Sequence, residues 1–415
     1  MTIKNFLPQK IIFFIKYLLA NSKRVVNYMF VSKNKQHNIY TLADGKNPTF
    51  FGYHDKTPFS LDGTKLLAMS ISSDDAKAES EGNFMKVGYF RKALSGEFEN
   101  KFVPVDHTYT WCYQQGCMLQ WNPINPNEEI IFNTLINGVY GAIVFNVITR
   151  QRIKEFIYPI YSIDPKGKFA ATLNFSRLGR LRPGYGYGLF EDNSIIETAS
   201  GNDGLFIFDL HSMKKQLLVS LAELAHDVSD KNCQHYINHA TFSPNGSRLI
   251  FFHLWTKADI NQRFHRVCEV EVLTGKWRII ESSRILSHYC WKNEQSILGT
   301  TIDSQGKWKY TLYDLVANSR KDLFQSPYND GHPMYHPFND DVFVTDTYPD
   351  RWNEQKLLVY NTNSNKHKLV GKFFSPFKYS GQVRCDLHPR WDREGDYLAI
   401  DSTHDGRRQM KIIKL

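Results

Sequence analysis

Residues 381–410 read GQVRCDLHPRWDREGDYLAIDSTHDGRRQM. Their centre, PRWDREGDYLAIDS (389–402), is a short strand, a tight turn and an apolar strand. The turn asks for a positive φ at Gly395, which only glycine adopts cheaply. The same signature recurs six more times: TPFSLDGTKLLAMS (57–70), LQWNPINPNEEIIFN (119–133), IYSIDPKGKFAATLN (160–174), ATFSPNGSRLIFF (240–252), YCWKNEQSILGTT (289–301) and MYHPFNDDVFVTDT (334–347). Most copies are followed by a second hairpin of alternating strands, such as YGAIVFNVITRQRIKEF or QKLLVYNTNSNKHKLV. Two hairpins make one four-stranded blade, which cannot bury both faces alone. Seven copies therefore predict an all-β chain, a seven-bladed β-propeller over residues 46–415.

Composition agrees. Aromatic residues make up 14% of the 415 residues, Phe and Tyr foremost, which favours strands. The six cysteines are dispersed without a CxxC pair, as buried reduced thiols are, rather than as a disulfide framework. The net charge of +9 predicts attraction to polyanions. No Lys/Arg run exceeds a doublet after Lys23-Arg24, and Tyr and Trp are frequent; the expected partner is an acidic polysaccharide or oligosaccharide, not nucleic acid.

Residues 1–45 form a separate segment. The apolar run 11–20 carries Lys16 and is too short to span a bilayer. A short helix is expected, lying on a membrane surface through Lys10, Lys16, Lys23 and Arg24 or packed against the propeller. The fit to a cleavable signal is poor, so the expected location is cytoplasmic or peripheral to the inner membrane, with the periplasm as the alternative.

Chemistry gathers in three places. The insertion after the third copy (174–204) holds Asn174, Arg177, Arg180, Arg182, Tyr185 and Tyr187; its RPGYGYG alternation reads as a loop shaped around a ligand. His239, His332 and His388 precede the inner strands of three blades, so a propeller brings them to one rim of its channel. With Cys385 they make a His₃Cys set suited to a divalent metal, zinc foremost. His404, Arg407, Arg408 and Gln409 add donors for an anionic or sugar ligand.

RCDLHPRWDREGDYLAIDSTHDGRRQM, YQQGCMLQW and PIYSIDPKGKFAATLNFSRLGRLRPGYGY together resemble the seven-bladed propeller polysaccharide lyases, ulvan lyases nearest and oligogalacturonate lyases more distantly, over residues 49–415. The resemblance implies a bound metal and β-elimination in a uronate-containing glycan. It implies Tyr161 as base or acid and Arg177, sixteen residues on, as the group that neutralises the uronate carboxylate. Where those lyases use histidines before the third copy, this chain has Gln114 and Gln115, leaving His54 or His107 to substitute. That departure and the poor fit to an export signal keep open a second reading: a non-lyase propeller that binds or transfers sugars in surface-polysaccharide assembly. A scaffold of the TolB type shares the turn signature but explains neither the arginine–tyrosine loop nor the Cys385/His388 pair.

Overall fold

The computed structural model describes residues 39–73, 82–257 and 262–415, together with Leu18. The expected amphipathic helix near the N-terminus lies outside the described residues. Seven antiparallel sheets of four strands each make the propeller. In the fourth blade Gln234–Phe242, Arg248–Thr256, Arg263–Glu271 and Trp277–Glu281 pair in chain order. Six blades are built this way.

The seventh blade closes the ring. Arg390–Trp391, Tyr397–Ser402 and Gln409–Lys414 come from the C-terminus, and the outermost strand is Ile39–Leu42, with Ile39 opposite Ile413 and Leu42 opposite Met410. The seventh blade thus includes Ile39–Leu42, ahead of the boundary at 46. The buried Lys411 ammonium reaches across this seam to Thr41 Oγ1 at 2.7 Å. Consecutive N–H groups of a strand point to opposite sides, so Tyr40→Pro with Thr41→Pro removes at least one ladder bond from the seam. The pair of substitutions is expected to lower the unfolding free energy by about 2 kcal/mol or more, measured by denaturant titration.

The repeated turn has a common physical basis. Its first polar residue (Ser60, Asp164, Ser243 or Asp392) accepts at its side-chain oxygen from the backbone N–H five residues later, at 2.6–3.1 Å. The backbone N–H of each donates to the carbonyl of that same later residue. Asp and Ser serve equally, which is why the turn varies in sequence yet keeps its shape. Gly395 sits at φ +81°, as its turn requires. Apolar faces then pack blade against blade: one cluster joins the third to fifth blades (Ala171, Leu205, Phe251, Val267, Leu286), another the seventh, first and second (Ala399, Met410, Leu67, Phe90, Phe132).

Two short helices interrupt the pattern. Helix α1 (Phe175–Leu181) opens the insertion, with Asn174 Oδ1 accepting from the Arg177 N–H at 3.0 Å as its N-cap. Helix α2 (Leu221–Ala225) follows the third blade with a Ser220–Glu223 capping box. No helix among the described residues is long and apolar enough to cross a membrane.

Candidate metal and carboxylate site in the channel

On five of the seven blades, side chains on or beside the innermost strand cluster at the central channel. Tyr53 and His54 come from the first blade, His239 from the fourth, His288 from the fifth, His332 from the sixth, and Asp386 and His388 from the seventh. Their rings pack together: His288 and His332 are 4.0 Å apart between centroids, His332 and His388 4.3 Å, His54 and His332 5.1 Å, Tyr53 and His239 4.6 Å. His239 and His388 hold left-handed backbones, φ +54° and +43°. Such strain in non-glycine residues gathers where a side chain must be aimed.

His332, Asp386 and His388, all buried, each offer a ligand atom within 4.8 Å of the others. Outer contacts fix both imidazoles. His332 Nδ1–H donates to Asp346 Oδ1 at 2.8 Å and His388 Nδ1–H to the Gly52 carbonyl at 2.7 Å, leaving each Nε2 as the ring nitrogen available to a cation. His388 Nε2 is buried with no hydrogen-bond partner, 4.0 Å from Asp386 Oδ2. An orphaned lone pair beside a second imidazole and a carboxylate suits a divalent cation. Burial would lower the pKa of His332, but the Asp346 charge beside it wins and raises it; burial and the neighbouring imidazole push His388 well down.

Above the histidines lie two half-buried guanidinium groups. Arg182, just past α1, lies 3.9 Å over the Tyr185 ring and donates from Nη1 to His239 Nε2 at 3.2 Å; its buried Nε has no partner. Arg384 lies 4.7 Å over Tyr348 and chelates Asp386 through Nε and Nη2. His288 stands beside them, its Nδ1 3.1 Å from Asp330 Oδ1 and its Nε2 3.5 Å from the Tyr348 hydroxyl. Burial holds His288 below its ordinary pKa despite Asp330, and the Tyr348 phenol far above its own. At neutral pH the mouth thus offers two cations, a neutral imidazole and a protonated phenol.

The sequence-predicted residues divide sharply. His54, Arg182, Tyr185, His239, His332 and His388 meet here. Cys385 and His239 stand outside the triad, whose third ligand is Asp386: positions 386 and 388 share one side of an extended segment, while the Cys385 thiol lies against the Asp386 carbonyl, 3.9 Å away. The set is therefore two imidazoles and a carboxylate, harder than the expected thiolate-bearing one.

Arg177 is the main correction. It is 1% exposed and donates to the carbonyls of His235, Ser194, Glu197 and Thr198, at 2.6–3.3 Å, as well as to Ser194 Oγ and Gln234 Oε1. All its donors are spent on the insertion and on Gln234 and His235, and none is left for a uronate. Tyr161 is fully buried; its hydroxyl accepts from Gln115 Nε2 and the His239 N–H and donates to Asn238 Oδ1. Burial raises its pKa far above the phenol value, and its hydroxyl, committed to these three partners, props the floor of the site. Gln114 donates to the carbonyls of Gln382 and Arg384, fixing the loop that carries Arg384. Asn174 caps α1 and bonds Asp203; Arg180 is paired with Asp192. His107 is exposed on an outer strand beside Asp106, His404 bonds Ser402 and packs on Phe373, and Arg407 reaches the Lys46 carbonyl. None of these three is at the channel. No disulfide links the six cysteines, five of which are buried.

His288, Tyr348, Arg384 and Asp386 escaped the sequence reading. His288 holds the offset before YCW that His239 holds before ATF, but the fifth copy lacks the turn signature that would have marked it.

No protein-family model and no curated protein matches the chain. Solved structures do. The oligogalacturonate lyase from Vibrio parahaemolyticus superposes with TM-score 0.62 at 12% identity, over 92% of this chain and 94% of that one. An oligogalacturonate lyase in complex with manganese gives 0.65 at 12%, over 91% and 93%. The chain shares its fold with oligogalacturonate lyases. Tricorn protease, at TM-score 0.50 and 10% identity, covers 91% of this chain with 34% of its own.

A second histidine cluster lies beside the insertion. Arg266 Nε donates to His253 Nδ1 at 3.2 Å, so His253 Nε2–H donates to His235 Nδ1 at 2.9 Å, and both rings are neutral. Burial, with Arg177 and Arg266 nearby, lowers His235 to about 4, and burial with His235 alongside pushes His253 well down. The unfolded chain binds these protons more readily, so the pair's contribution is complete above pH 6.5 and is lost as pH falls towards 4. Over that window wild type is expected to lose roughly 2–3 kcal/mol more stability than His235→Gln, read from denaturation curves at stepped pH.

Proposed function

We propose that the chain is a polysaccharide lyase-type enzyme that eliminates across a uronate unit of an acidic glycan. The observation that carries this reading is the convergence of Arg182, Arg384 and the His332–Asp386–His388 triad around the His288 imidazole. Elimination needs three things: relief of the carboxylate charge, a base for the proton on C5 and an acid for the leaving oxygen on C4.

Each has a candidate. Arg182 and Arg384 bind the carboxylate, acidifying the C5 proton. His288, kept neutral by burial and oriented by Asp330, takes that proton. The C5–H electron pair forms the C4–C5 double bond as the C4–O bond breaks, and Tyr348 donates its proton to the departing oxygen. His332, Asp386 and His388 would hold a divalent cation, which would supply Lewis acidity at the site. The fold shared with oligogalacturonate lyases, one bearing manganese, supports this reading.

The test is an ultraviolet assay for the unsaturated product over a panel of uronate polysaccharides with manganese or zinc added. His288→Ala is expected to lower kcat by 10²–10⁴-fold with KM little changed, the range of general-base catalysis. Activity retained in that variant removes His288 as the base. Sugar binding without any unsaturated product, across the panel and with metal bound, moves the function to sugar handling in surface-polysaccharide assembly.

A further inference from the structure

His288 and Tyr348 belong to the fifth and sixth blades, and Asp330 ties them together. Its Oδ1 accepts from His288 Nδ1 at 3.1 Å, and its carbonyl accepts from the Tyr348 N–H at 3.1 Å. Asp330 is itself held by the Gly331 N–H at 2.9 Å and by the Ser287 hydroxyl. The Arg384 guanidinium covers the Tyr348 ring. With His288 Nδ1–H committed to Asp330, Nε2 is the acceptor, and the Tyr348 hydroxyl donates to it at 3.5 Å.

That separation limits the stereochemistry of an elimination. The base must reach the proton on C5 and the acid the oxygen on C4, each at hydrogen-bond distance. Where H5 and O4 lie on opposite faces of the pyranose ring, the two groups must straddle it, about 6 Å apart. Where H5 and O4 share a face, base and acid stand side by side. Two groups 3.5 Å apart and anchored to one residue fit the second case.

We infer that the site performs syn elimination and takes uronates whose H5 and O4 share a face. Those are the D-glucuronate and D-mannuronate configurations, as against D-galacturonate and L-guluronate. The inference rests on the roles of His288 and Tyr348 in the proposed elimination. His288 Nε2 takes the C5 proton, and the C5–H electron pair becomes the C4–C5 double bond. The C4–O bond breaks, and the Tyr348 proton goes to the leaving oxygen. The imidazolium then returns its proton to the phenolate across the same 3.5 Å, so base and acid are reset together.

The full chain, with manganese present, is tested on 4-linked trisaccharides of the four uronates. D-Glucuronate and D-galacturonate differ only at C4, D-mannuronate and L-guluronate only at C5. Each pair therefore isolates the relation of H5 to O4. In both pairs the same-face member is expected to give unsaturated product with kcat/KM at least about 100-fold above its epimer, because the epimer forfeits one of the two proton transfers. Affinities for His288→Ala, read by calorimetry, should differ far less within each pair. Comparable or faster elimination from galacturonate or guluronate overturns the inference and puts the acid across the ring, with β-elimination itself intact. An affinity gap in His288→Ala as large as the rate gap also overturns it, as selection by binding alone. No unsaturated product from any of the four defeats the lyase reading, and this inference with it.

Discussion

Replacing His388 by alanine is expected to weaken divalent-metal binding by more than about 100-fold, exceeding the 10–100-fold typical of outer-sphere changes. His388 is the triad member whose free lone pair is left with no other partner. Its Nδ1 is committed to the Gly52 carbonyl and its backbone N–H to Asp346 Oδ2 at 2.9 Å, so the ring is held with Nε2 inward. Asp346 also accepts from both the backbone and the ring of His332, tying the two imidazoles to one carboxylate. Asp346→Asn is accordingly expected to cost 10–100-fold in affinity without removing any ligand. Calorimetric titration with manganese and zinc reads both variants, and circular dichroism shows that the propeller persists. Undiminished affinity in His388→Ala would place the metal elsewhere.

The second large effect is on stability. Arg177→Ala is expected to destabilise the fold by about 4 kcal/mol or more, because four backbone carbonyls lose their donor at once in a buried setting. Those carbonyls belong to the stretch from Ser194 to Thr198 and to His235, so the insertion should detach first and become accessible to protease. Arg177→Lys, with one point-like donor cluster for a planar fork, should recover only part of the loss. A catalytic Arg177 would behave oppositely: Ala would fold normally and lose activity alone.

The architecture was legible because a propeller writes its repeat seven times. Ser60, Asp164, Ser243 and Asp392 do one job in four blades, and a turn chemistry that recurs is readable even when its residues differ. The rim of the channel was legible for the same reason: His239, His332 and His388 occupy equivalent offsets. What spacing does not carry is direction. Cys385 and Asp386 are neighbours in sequence, yet only Asp386 faces the imidazoles. Arg177, Arg180 and Arg182 lie within six residues, but α1 turns the first two towards the carbonyls and carboxylate of their own insertion and releases the third, at its C-terminus, to the channel. Gln114, 270 residues away, and Arg408 both donate to the Arg384 carbonyl and hold its loop at the rim.

The most direct measurement is the mass of the products formed from a uronate oligosaccharide of known length with manganese present. Elimination adds no water: the two product masses sum to that of the substrate, and one product carries the unsaturated uronate at its new non-reducing end. Chelation of the metal should abolish the reaction, and restored metal should recover it. Products whose summed mass exceeds the substrate by one water would mean hydrolysis and would contradict the assignment of Arg182, Arg384 and His288 to β-elimination.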